Sequence, residues 1–517
     1  MAARLKKNAA GRLVPDVVNG RESVPFRGVG KHRPDGCKAA PRIASCVDFP
    51  ADGDKRAGSL REAFERVGLG DGMVISTHHH LRNGDAVANA AFDTAAEMGL
   101  RDLMWFPSAS FPVHANQIEH LDSGVIHHIE GSMNGPLGTY CSSGKMRGLG
   151  VLRSHGGRWQ AIQDGEVHID VAVIAAPAAD TFGNANGLSG PAACGLLGFA
   201  LADSIYAEKV IVVTDNLAPF PCLPWQIQGN NVDAVVEVSS IGDPSQIVSG
   251  TTRLTQSPDR RRIAELAARF CAEAGIVRDG FSFQAGAGGT TLAFAIYLAE
   301  LMRSAGVTAR FARGGSTQHM VEMLDEGLIE YILDGQTFDL DGVRSMASNP
   351  RHQDTSPFTS YNFHGKGNFA SMVDVAVLGA TEVDLEFNGN VVTHSDGRLL
   401  HGIGGWQNCL TARCAMLLVP SFRDRIPVVV DEVTTLCGPG ELIDVVVTER
   451  GIAVNPRRQD LLDAVAGSDL PIRPIEDLKA ELDRLCGVPA TPELSDEPVA
   501  VVKWVDGTII DTVWRVD

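Results

Sequence analysis

Several features that mark specialised classes of protein are missing from this sequence. No apolar run approaches the roughly 18 residues that a membrane-spanning helix needs. The segment from Met1 to Arg12 lacks the apolar stretch of a secretory signal. The ten cysteines are scattered without a C-x-x-C pair, which disfavours a zinc knuckle or a redox centre. We therefore expect a cytoplasmic protein with reduced cysteines and no bound metal.

Basic charge is also scarce. The chain carries 45 Lys and Arg residues against 63 Asp and Glu residues, and its formal net charge is -18. Nucleic acids and anionic membranes need a basic footprint on a protein partner, so neither is expected as the main partner here. An anionic substrate would need a local cluster of Arg, Lys or His.

The composition that remains is that of an ordinary globular protein on a long chain. Hydrophobic residues make up 44% and charged residues 21% of the 517 positions. This length exceeds what one hydrophobic core usually supports. We predict a first domain over residues 1–255 and a second over residues 256–517. Residues 1–58 are rich in Gly, Pro, Arg and Lys, and we expect them to form an extended arm on the first domain.

Two helix starts and five short apolar runs indicate the class of fold. Ser59 and Glu62 have the spacing of a capping box, and Ser257 followed by Pro258 predicts a second helix start. Short apolar runs are typical of strands buried on both faces, and these runs cover residues 210–213, 234–236, 375–378, 428–430 and 445–447. The pattern predicts an α/β fold of mostly parallel sheets covered by helices.

The chain also repeats part of itself at an offset of about 204 positions. The segment Asp170-Val171-Ala172-Val173 recurs as Asp374-Val375-Ala376-Val377. The match continues without a gap, pairing Asp180 with Asp384 and Asn184 with Asn388. Internal similarity of this kind predicts two related halves. Chance likeness between two strand-and-turn segments is the alternative explanation.

Glycine-rich turns are the first candidates for a catalytic site. Glycine lets main-chain N–H groups approach an anion, and in acyl transfer such groups stabilise the oxyanion on an attacked thioester carbonyl. Tight turning alone would also explain any one of these loops, and a dinucleotide site is disfavoured because G-x-G-x-x-G is absent. The predicted catalytic glycines are Gly288, Gly289, Gly404 and Gly405, and the predicted CoA-binding glycines are Gly286, Gly288, Gly402 and Gly404.

Basic residues in the first half are candidates for holding a polycarboxylate. Arginine binds a carboxylate through a two-pronged fork. The predicted binding set is His78, His79, Arg82 and Arg158. Because consecutive strand residues point to opposite sides, His78, His79 and His80 cannot all face one metal ion. Histidines that are solvated or satisfied inside the core are the alternative interpretation.

A carboxylate nucleophile is a further catalytic candidate. CoA-transferases usually use a carboxylate that attacks the thioester and gives a mixed anhydride. Glu322 follows the double glycine Gly314-Gly315 and could serve in this way, although a solvent-facing helical glutamate is the alternative interpretation. No G-x-S-x-G motif is present, which disfavours a serine hydrolase.

Several motifs in order along the chain carry a family resemblance. They lie at residues 71–73, 78–85, 154–158, 182–187, 280–289, 384–388, 395–397, 425–427 and 451–456. With these motifs, the chain from about Leu60 to Ile452 resembles the citrate lyase alpha subunit family.

The resemblance implies a fold, an activity and partners. It implies two related CoA-transferase-like α/β domains and a subunit that passes an acetyl-bearing carrier thioester to citrate with release of acetate. The thioester would sit on the dephospho-CoA-like arm of a gamma acyl carrier protein, or on CoA, with no cofactor bound to this chain itself. A beta subunit would cleave the citryl product, and a homo-oligomer is expected. The citrate carboxylate itself would attack the thioester in a ternary complex, with Glu322 in a positional or electrostatic role.

One departure from the family keeps alternatives open. Where the family usually has Gly-Gly-His-Cys-Asp, this chain has Gly404-Gly405-Trp406-Gln407-Asn408. A related acid or free CoA as the substrate therefore stays open. So do a covalent CoA-transferase or acyl-CoA hydrolase that uses Glu322, and a scaffold subunit that has lost activity.

Overall fold

The first half of the chain alternates short strands with helices. The computed structural model describes residues 4–33, 50–248, 253–286, 288–363 and 367–516, so Cys37, Cys46 and Ala287 lie outside the described residues. The elements of the first half are β1 (Leu5–Lys7), β2 (Leu13–Pro15), β3 (Val17–Val18), β4 (Arg21–Glu22), β5 (Arg56–Ala57), α1 (Leu60–Val67), β6 (Val74–Thr77), α2 (Val87–Glu97), β7 (Leu103–Pro107), α3 (Gln117–Ser123), β8 (Ile126–Ile129), α4 (Pro136–Ser142), β9 (Gly150–Leu152), α5 (His155–Gln163), β10 (Val171–Ala175), β11 (Ala178–Ala179), β12 (Ala185–Asn186), α6 (Ala200–Tyr206), β13 (Lys209–Thr214) and β14 (Ala234–Glu237).

The second half continues the same alternation and ends in a pair of strands. Its elements are α7 (Pro258–Glu273), β15 (Ser282–Ala285), α8 (Gly289–Ala305), β16 (Phe311–Ser316), α9 (Gln318–Asp325), β17 (Ile332–Thr337), α10 (Leu340–Ser348), β18 (His352–Asp354), α11 (Pro357–Tyr361), β19 (Val375–Leu378), β20 (Glu382–Asp384), β21 (Gly389–Asn390), α12 (Trp406–Cys409), β22 (Ala415–Leu418), β23 (Phe422–Arg423), β24 (Ile426–Pro427), β25 (Val429–Val430), β26 (Val445–Thr448), β27 (Gly451–Val454), α13 (Gln459–Ala464), α14 (Ile475–Cys486), β28 (Pro498–Lys503) and β29 (Ile509–Trp514).

Two large sheets form the centre of the molecule. The first has seven parallel strands in the order β5-β14-β13-β10-β6-β7-β8. The second has eight strands in the order β18-β17-β16-β15-β19-β22-β26-β27, and only the β26–β27 pair is antiparallel. The prediction of an α/β fold with mostly parallel sheets is therefore confirmed.

The two sheets share one strand order. The run β14-β13-β10-β6-β7-β8 of the first half corresponds position by position to β26-β22-β19-β15-β16-β17 of the second. The turns matched in the sequence also agree. Asp180 accepts bonds from the backbone and side-chain nitrogens of Asn184 at 3.0 and 2.8 Å, and Asp384 does the same for Asn388 at 2.9 and 3.0 Å. These matches support the interpretation that the halves are related.

Most of the predicted elements occur where the sequence places them. Helix α1 begins after Ser59, whose hydroxyl oxygen accepts from the Glu62 amide, and α7 begins at Pro258 after the capping residue Ser257. The apolar run at 428–430 is the exception. Its last two residues form β25, which pairs with β20 in a separate three-stranded sheet rather than joining a large one.

The chain termini meet on the first half. Strand β28 pairs with β29 and also with β9, so the last strands of the chain join a strand of the first half. In the N-terminal arm, the Asn8 amide donates to the carbonyl oxygens of Ile509 and Ile510 at 3.1 and 2.7 Å. The division at residues 255 and 256 stays a prediction, and residues 498–514 lie beside the half that precedes it.

Within the described segments, no helix combines the length and the apolar character needed to cross a membrane. The eight described cysteines are free thiols, and seven of them are buried.

Candidate active site

The predicted glycine loops of the second half meet in one large cavity between the halves. The cavity has a volume of about 1340 Å³, and residues of both halves line it. The amide of His155, at the start of α5, donates to the carbonyl oxygen of Gly404 at 2.8 Å and so links the halves at the cavity wall. All six predicted glycines line the cavity: Gly286, Gly288, Gly289, Gly402, Gly404 and Gly405.

The first loop leads from β15 into the N-terminus of α8. The Gly286 amide donates to the Val377 carbonyl at 3.1 Å, and the Gly288 amide donates to the Thr291 hydroxyl at 2.9 Å. Gly289 is the first helical residue, and among the described residues its amide has no acceptor. The free N–H groups and the dipole of a helix start both favour an anion. Gly289 therefore offers the cavity a donor, whereas Gly286 and Gly288 shape the turn.

The second loop leads into α12. The Gly402 amide donates to Asn134 Oδ1 at 3.2 Å. Gly404 has a φ of +61°, which only glycine adopts readily. Within the described part of the chain, the Gly405 amide has no acceptor. A Cβ atom on Gly405 would lie 2.9 Å from the Tyr361 hydroxyl, so this position also needs glycine. Gly405 is thus the second donor.

Arg82 brings an uncompensated positive charge to the cavity wall. Its side chain lines the cavity, and the residue is 7% exposed. The guanidinium stacks over the rings of Phe111 and Phe338 at 4.9 and 5.3 Å, and no carboxylate in the described segments pairs with it. Burial lowers its pKa to about 10. Since a buried charge without a counter-ion is costly, this geometry is that of an anion site.

Two neutral histidines lie next to Arg82 on the cavity wall. His79 Nδ1 lies 2.6 Å from the Ser108 hydroxyl, and its ring stacks on that of His155 at 5.6 Å. Burial, followed by the neighbouring His155, holds the pKa of His79 well below its usual range. Burial, followed by nearby Arg158, lowers the pKa of His155 to about 3. Both rings are therefore polar hydrogen-bonding groups rather than cations at neutral pH.

His78 and Arg158 do not reach the cavity surface. Arg158 binds the carboxylate of Asp203 through both Nη atoms at 2.7 and 2.6 Å, and His78 Nε2 lies 2.9 Å from the same carboxylate. Burial acts to raise the pKa of Asp203, but Arg158 and His78 outweigh burial and hold it far below its usual range. The His78 and His80 rings stack on each other, whereas His79 lines the cavity; all three histidines follow the end of β6 and so lie outside a regular strand.

Glu322 lies outside the cavity lining. It is on α9 with its side chain 50% exposed, and its carboxylate lies 3.1 Å from His319 Nδ1. Among the described residues, the carboxylates that do line the cavity are those of Asp396 and Asp424. Asp396 is paired with Arg398 at 2.9 Å.

The departure from the family motif concerns the core more than the cavity. Gln407 is fully buried and donates to the carbonyl oxygens of Cys437 and Lys503 at 2.9 and 3.0 Å. Asn408 Oδ1 accepts from the Gly156 amide at 3.1 Å. Neither side chain lines the cavity, whereas Trp406 does. The departure therefore changes packing between the halves and leaves the described donors in place.

Three residues of the site were not singled out from the sequence. Arg313 on β16 is fully buried, has no carboxylate partner in the described segments, and donates to Gln284 Oε1 at 2.5 Å. Its guanidinium also lies 4.6 Å from the centre of the Tyr361 ring, and Tyr361 and Gln284 line the cavity. Gln284 lies inside the family motif at residues 280–289, so the sequence did point to its neighbourhood. The contacts of Arg313 and Tyr361 join residues far apart in the sequence, and no local pattern indicates them.

Comparison with known proteins gives a consistent result along the whole chain. The family model described as citrate lyase, alpha subunit, matches residues 53–516. The citrate lyase alpha chain of Haemophilus influenzae is 41% identical over 481 residues, which cover 93% of this chain and 96% of that protein. The citrate lyase alpha chain of Klebsiella pneumoniae is 42% identical over 460 residues, which cover 89% of this chain and 91% of that protein.

Solved structures agree with the sequence comparisons. A structure described as the alpha subunit of citrate lyase from Streptococcus mutans in complex with citrate is similar, with a TM-score of 0.93 and 38% identity over 99% of this chain and 100% of that one. A 4-hydroxybutyrate CoA-transferase from Porphyromonas gingivalis has a TM-score of 0.53 at 16% identity, covering 83% of this chain and 98% of that one. The second likeness concerns the fold alone.

Proposed function

Since the chain belongs to the citrate lyase alpha subunit family and is a transferase subunit of citrate lyase, we propose that its central cavity exchanges acetate for citrate on a carrier thioester. The observation that carries this proposal is the buried guanidinium of Arg82, which no carboxylate among the described residues pairs with, in the same cavity as the Gly289 and Gly405 amides. The guanidinium suits a carboxylate of the acid, and the two amides suit the oxygen of a reacting carbonyl.

The exchange needs no carboxylate from the protein. A citrate carboxylate oxygen attacks the acetyl carbonyl, the thiolate leaves, and a mixed anhydride forms. The thiolate then attacks the citryl carbonyl of the anhydride, which releases acetate and leaves the citryl thioester. The covalent route through Glu322 has less support, because that side chain is exposed on α9 and outside the cavity lining.

The acid is held by Arg82 and His79 in this proposal. A guanidinium can donate two parallel hydrogen bonds to a carboxylate, and Arg82 is a desolvated cation with no carboxylate partner in the described segments. His79 adds a neutral donor or acceptor beside it. The similar Streptococcus mutans protein was solved in complex with citrate, which supports citrate as the acid.

The oxyanion is stabilised by donors that are fixed before the reaction. The Gly289 amide lies at the start of α8, the Gly405 amide lies before α12, and the Tyr361 hydroxyl lies beside Gly405. Fixed donors of this kind contribute to catalysis because they need no reorganisation when charge develops. Arg313 does not line the cavity, but it contacts Tyr361 and Gln284, which do, and so helps to hold these two side chains in place.

His78 and Arg158 take a positioning role in this proposal. Through Asp203 they tie the end of β6 and helix α5 to helix α6. His79, which follows His78 after the end of β6, and His155, which lies three residues before Arg158 on α5, do line the cavity. The two residues therefore act on the site through the backbone that carries it.

The wider setting of the reaction follows from the family. The proposed donor is the thioester on a CoA-like arm of an acyl carrier protein, with CoA as a substitute, and the citryl product passes to a lyase subunit in the cytoplasm. We also propose that the chain works as a homo-oligomer.

A panel assay tests the proposal. The purified chain is mixed with acetyl-CoA and each of a series of di- and tricarboxylates, and acyl-CoA products and acetate are measured. We expect citryl-CoA and acetate in equal amounts, with citrate preferred over dicarboxylates. Thioester hydrolysis without any acyl exchange would contradict the proposal.

A further inference from the structure

A second group of cations lines the outer part of the same cavity. Arg260 lies in the first turn of α7, and Arg423 lies on β23 in the hairpin with β24. Both line the cavity, together with Arg253 just before α7. Arg260 and Arg423 belong to the second half, and Arg253 lies in the segment before it, whereas Arg82, proposed to bind the acid, lies far away in the first half of the sequence.

The Arg423 side chain is held in place without being neutralised. Its Nη1 and Nη2 atoms donate to the carbonyl oxygens of Thr381 and Ala380 at 3.0 and 2.7 Å. Carbonyl oxygens orient a guanidinium but carry no net charge. Burial, followed by repulsion from Arg260, lowers the pKa of Arg423, and both residues line the same cavity.

Two carboxylates, those of Glu382 and Asp424, lie near this pair, and in the described segments neither of them forms an ion pair with it. Glu382 acts on Arg423 from a distance, but its carboxylate already accepts hydrogen bonds from Asn390 and Thr434. Asp424, at the exposed tip of the hairpin, also lines the cavity. Among the described residues, neither Arg260 nor Arg423 forms an ion pair with a carboxylate. Arginines that line one cavity and form no ion pair have the chemistry of a phosphate site.

We propose that Arg260 and Arg423, with Arg253 of the same cavity lining, bind the diphosphate of the thioester donor. This inference rests on the proposed function, because it assigns a second contact to the same donor. A cavity of about 1340 Å³ exceeds the roughly 300–1,000 Å³ of most ligand pockets, so it has room for both an acid and an extended arm. The arm then enters past the arginines and carries its acyl group to Gly289 and Gly405.

Truncated donors test this assignment. Transfer to citrate is measured with acetyl-CoA, with acetyl-dephospho-CoA, which keeps the diphosphate, and with acetyl-pantetheine, which has no phosphate. For Arg423→Ala and Arg260→Ala we expect kcat/KM to fall about 10–100-fold with the first two donors, as for the loss of charged hydrogen bonds. With acetyl-pantetheine we expect no change, and the KM for citrate should also stay the same.

A control variant and a binding measurement keep the outcomes distinct. Arg269→Ala removes an arginine of α7 that pairs with Asp469 and lies outside the cavity lining, and it should leave all donors unaffected. Equal losses with all three donors would overturn the inference, and a loss confined to acetyl-CoA would assign the site to the 3′-phosphate instead. If the wild type fails to exchange acyl groups, the proposed function fails. The diphosphate site can still be tested in that case. Calorimetry measures the affinities for CoA and for pantetheine in the wild type and both variants, and the variants should lose affinity for CoA relative to pantetheine.

Discussion

The backbone amide of His155 donates to the carbonyl oxygen of Gly404 at 2.8 Å. His155 begins a helix of the first half, and Gly404 belongs to a glycine turn of the second half. This single bond places the histidine pair next to the turn that carries the Gly405 amide. The residues proposed to bind the acid and the amides proposed to bind the oxyanion therefore come from different halves of one chain.

Arg82→Ala should weaken citrate binding and leave the thioester unaffected. Hydrogen bonds to a charged group contribute about 1.5–3 kcal/mol, so the KM for citrate should rise roughly 10–100-fold. Because Arg82 is a buried charge without a carboxylate partner in the described segments, its removal should not lower the melting temperature. Citrate should raise the melting temperature of the wild type and not that of the variant.

The control for Arg82 is Arg147→Ala, which removes a half-exposed arginine paired with Asp102. It should leave citrate kinetics unchanged. If Arg82→Ala had the citrate KM of the wild type, the anion site would have to lie elsewhere.

Arg158→Ala should lower the stability of the protein more than it weakens citrate binding. The change leaves Asp203 buried without its main ion-pair partner, and breaking such a pair costs about 3–5 kcal/mol. We expect that loss in the free energy of unfolding by urea, whereas the Arg158→Met, Asp203→Leu double variant should recover most of it. An Arg158→Ala protein of normal stability with a strongly raised citrate KM would restore Arg158 as a direct ligand.

Tyr361→Phe should lower the turnover number without changing either KM. The change removes one hydroxyl beside Gly405, where the oxyanion is proposed to form. Loss of one preorganised donor typically costs on the order of 100-fold in kcat, and a neutral hydroxyl in a set of three donors should cost about 10–100-fold. The exposed Tyr331 provides the matched control, as Tyr331→Phe should have no effect. An unchanged kcat in Tyr361→Phe would remove the hydroxyl from the mechanism.

Acid should destabilise the protein partly through His128. Burial, followed by His127 and Arg21, lowers the pKa of His128 to about 3. The unfolded chain therefore binds a proton that the folded chain does not between a pH of about 6.5 and 3, so stability falls as the pH falls through that range.

Substitution of His128 measures this effect. His128→Gln should reduce the slope of unfolding free energy against pH by up to about 1.4 kcal/mol per pH unit between pH 6 and 4. The partly exposed His319 serves as the control, and His319→Gln should leave the slope nearly unchanged. Identical slopes for the wild type and His128→Gln would show that His128 is protonated in the folded state.

The class of fold and the glycine loops could be predicted from the sequence because their signals are local. A capping serine before α1, short apolar runs and repeated turns each depend on residues close together in the chain. The roles of His78 and Arg158 depend instead on Asp203, which lies 125 and 45 positions away from them. No local pattern shows that a buried carboxylate engages these side chains, and the same holds for the contact between Arg313 and Tyr361.

Glu322 and the 406–408 segment also show what could not be predicted from the sequence. A double glycine near Glu322 suggested a catalytic position, but the intervening turn puts the carboxylate on the exposed face of α9. The replacement of the family's His-Cys-Asp suggested a different acid; Gln407 and Asn408 bond to backbone groups outside the cavity, whereas Trp406 lines it. Sequence position alone did not distinguish a residue near the site from one in it.

Oxygen transfer in a single turnover tests the central claim most directly. Enzyme in excess over acetyl-CoA is mixed with citrate labelled with ¹⁸O in its carboxylates, and the acetate is analysed by mass spectrometry, for the wild type and for Glu322→Gln. Direct attack by citrate in the cavity predicts that each acetate carries one ¹⁸O atom in both proteins. Unlabelled acetate from the wild type in this first turnover would contradict the account, because its oxygen would then come from a protein carboxylate or from water.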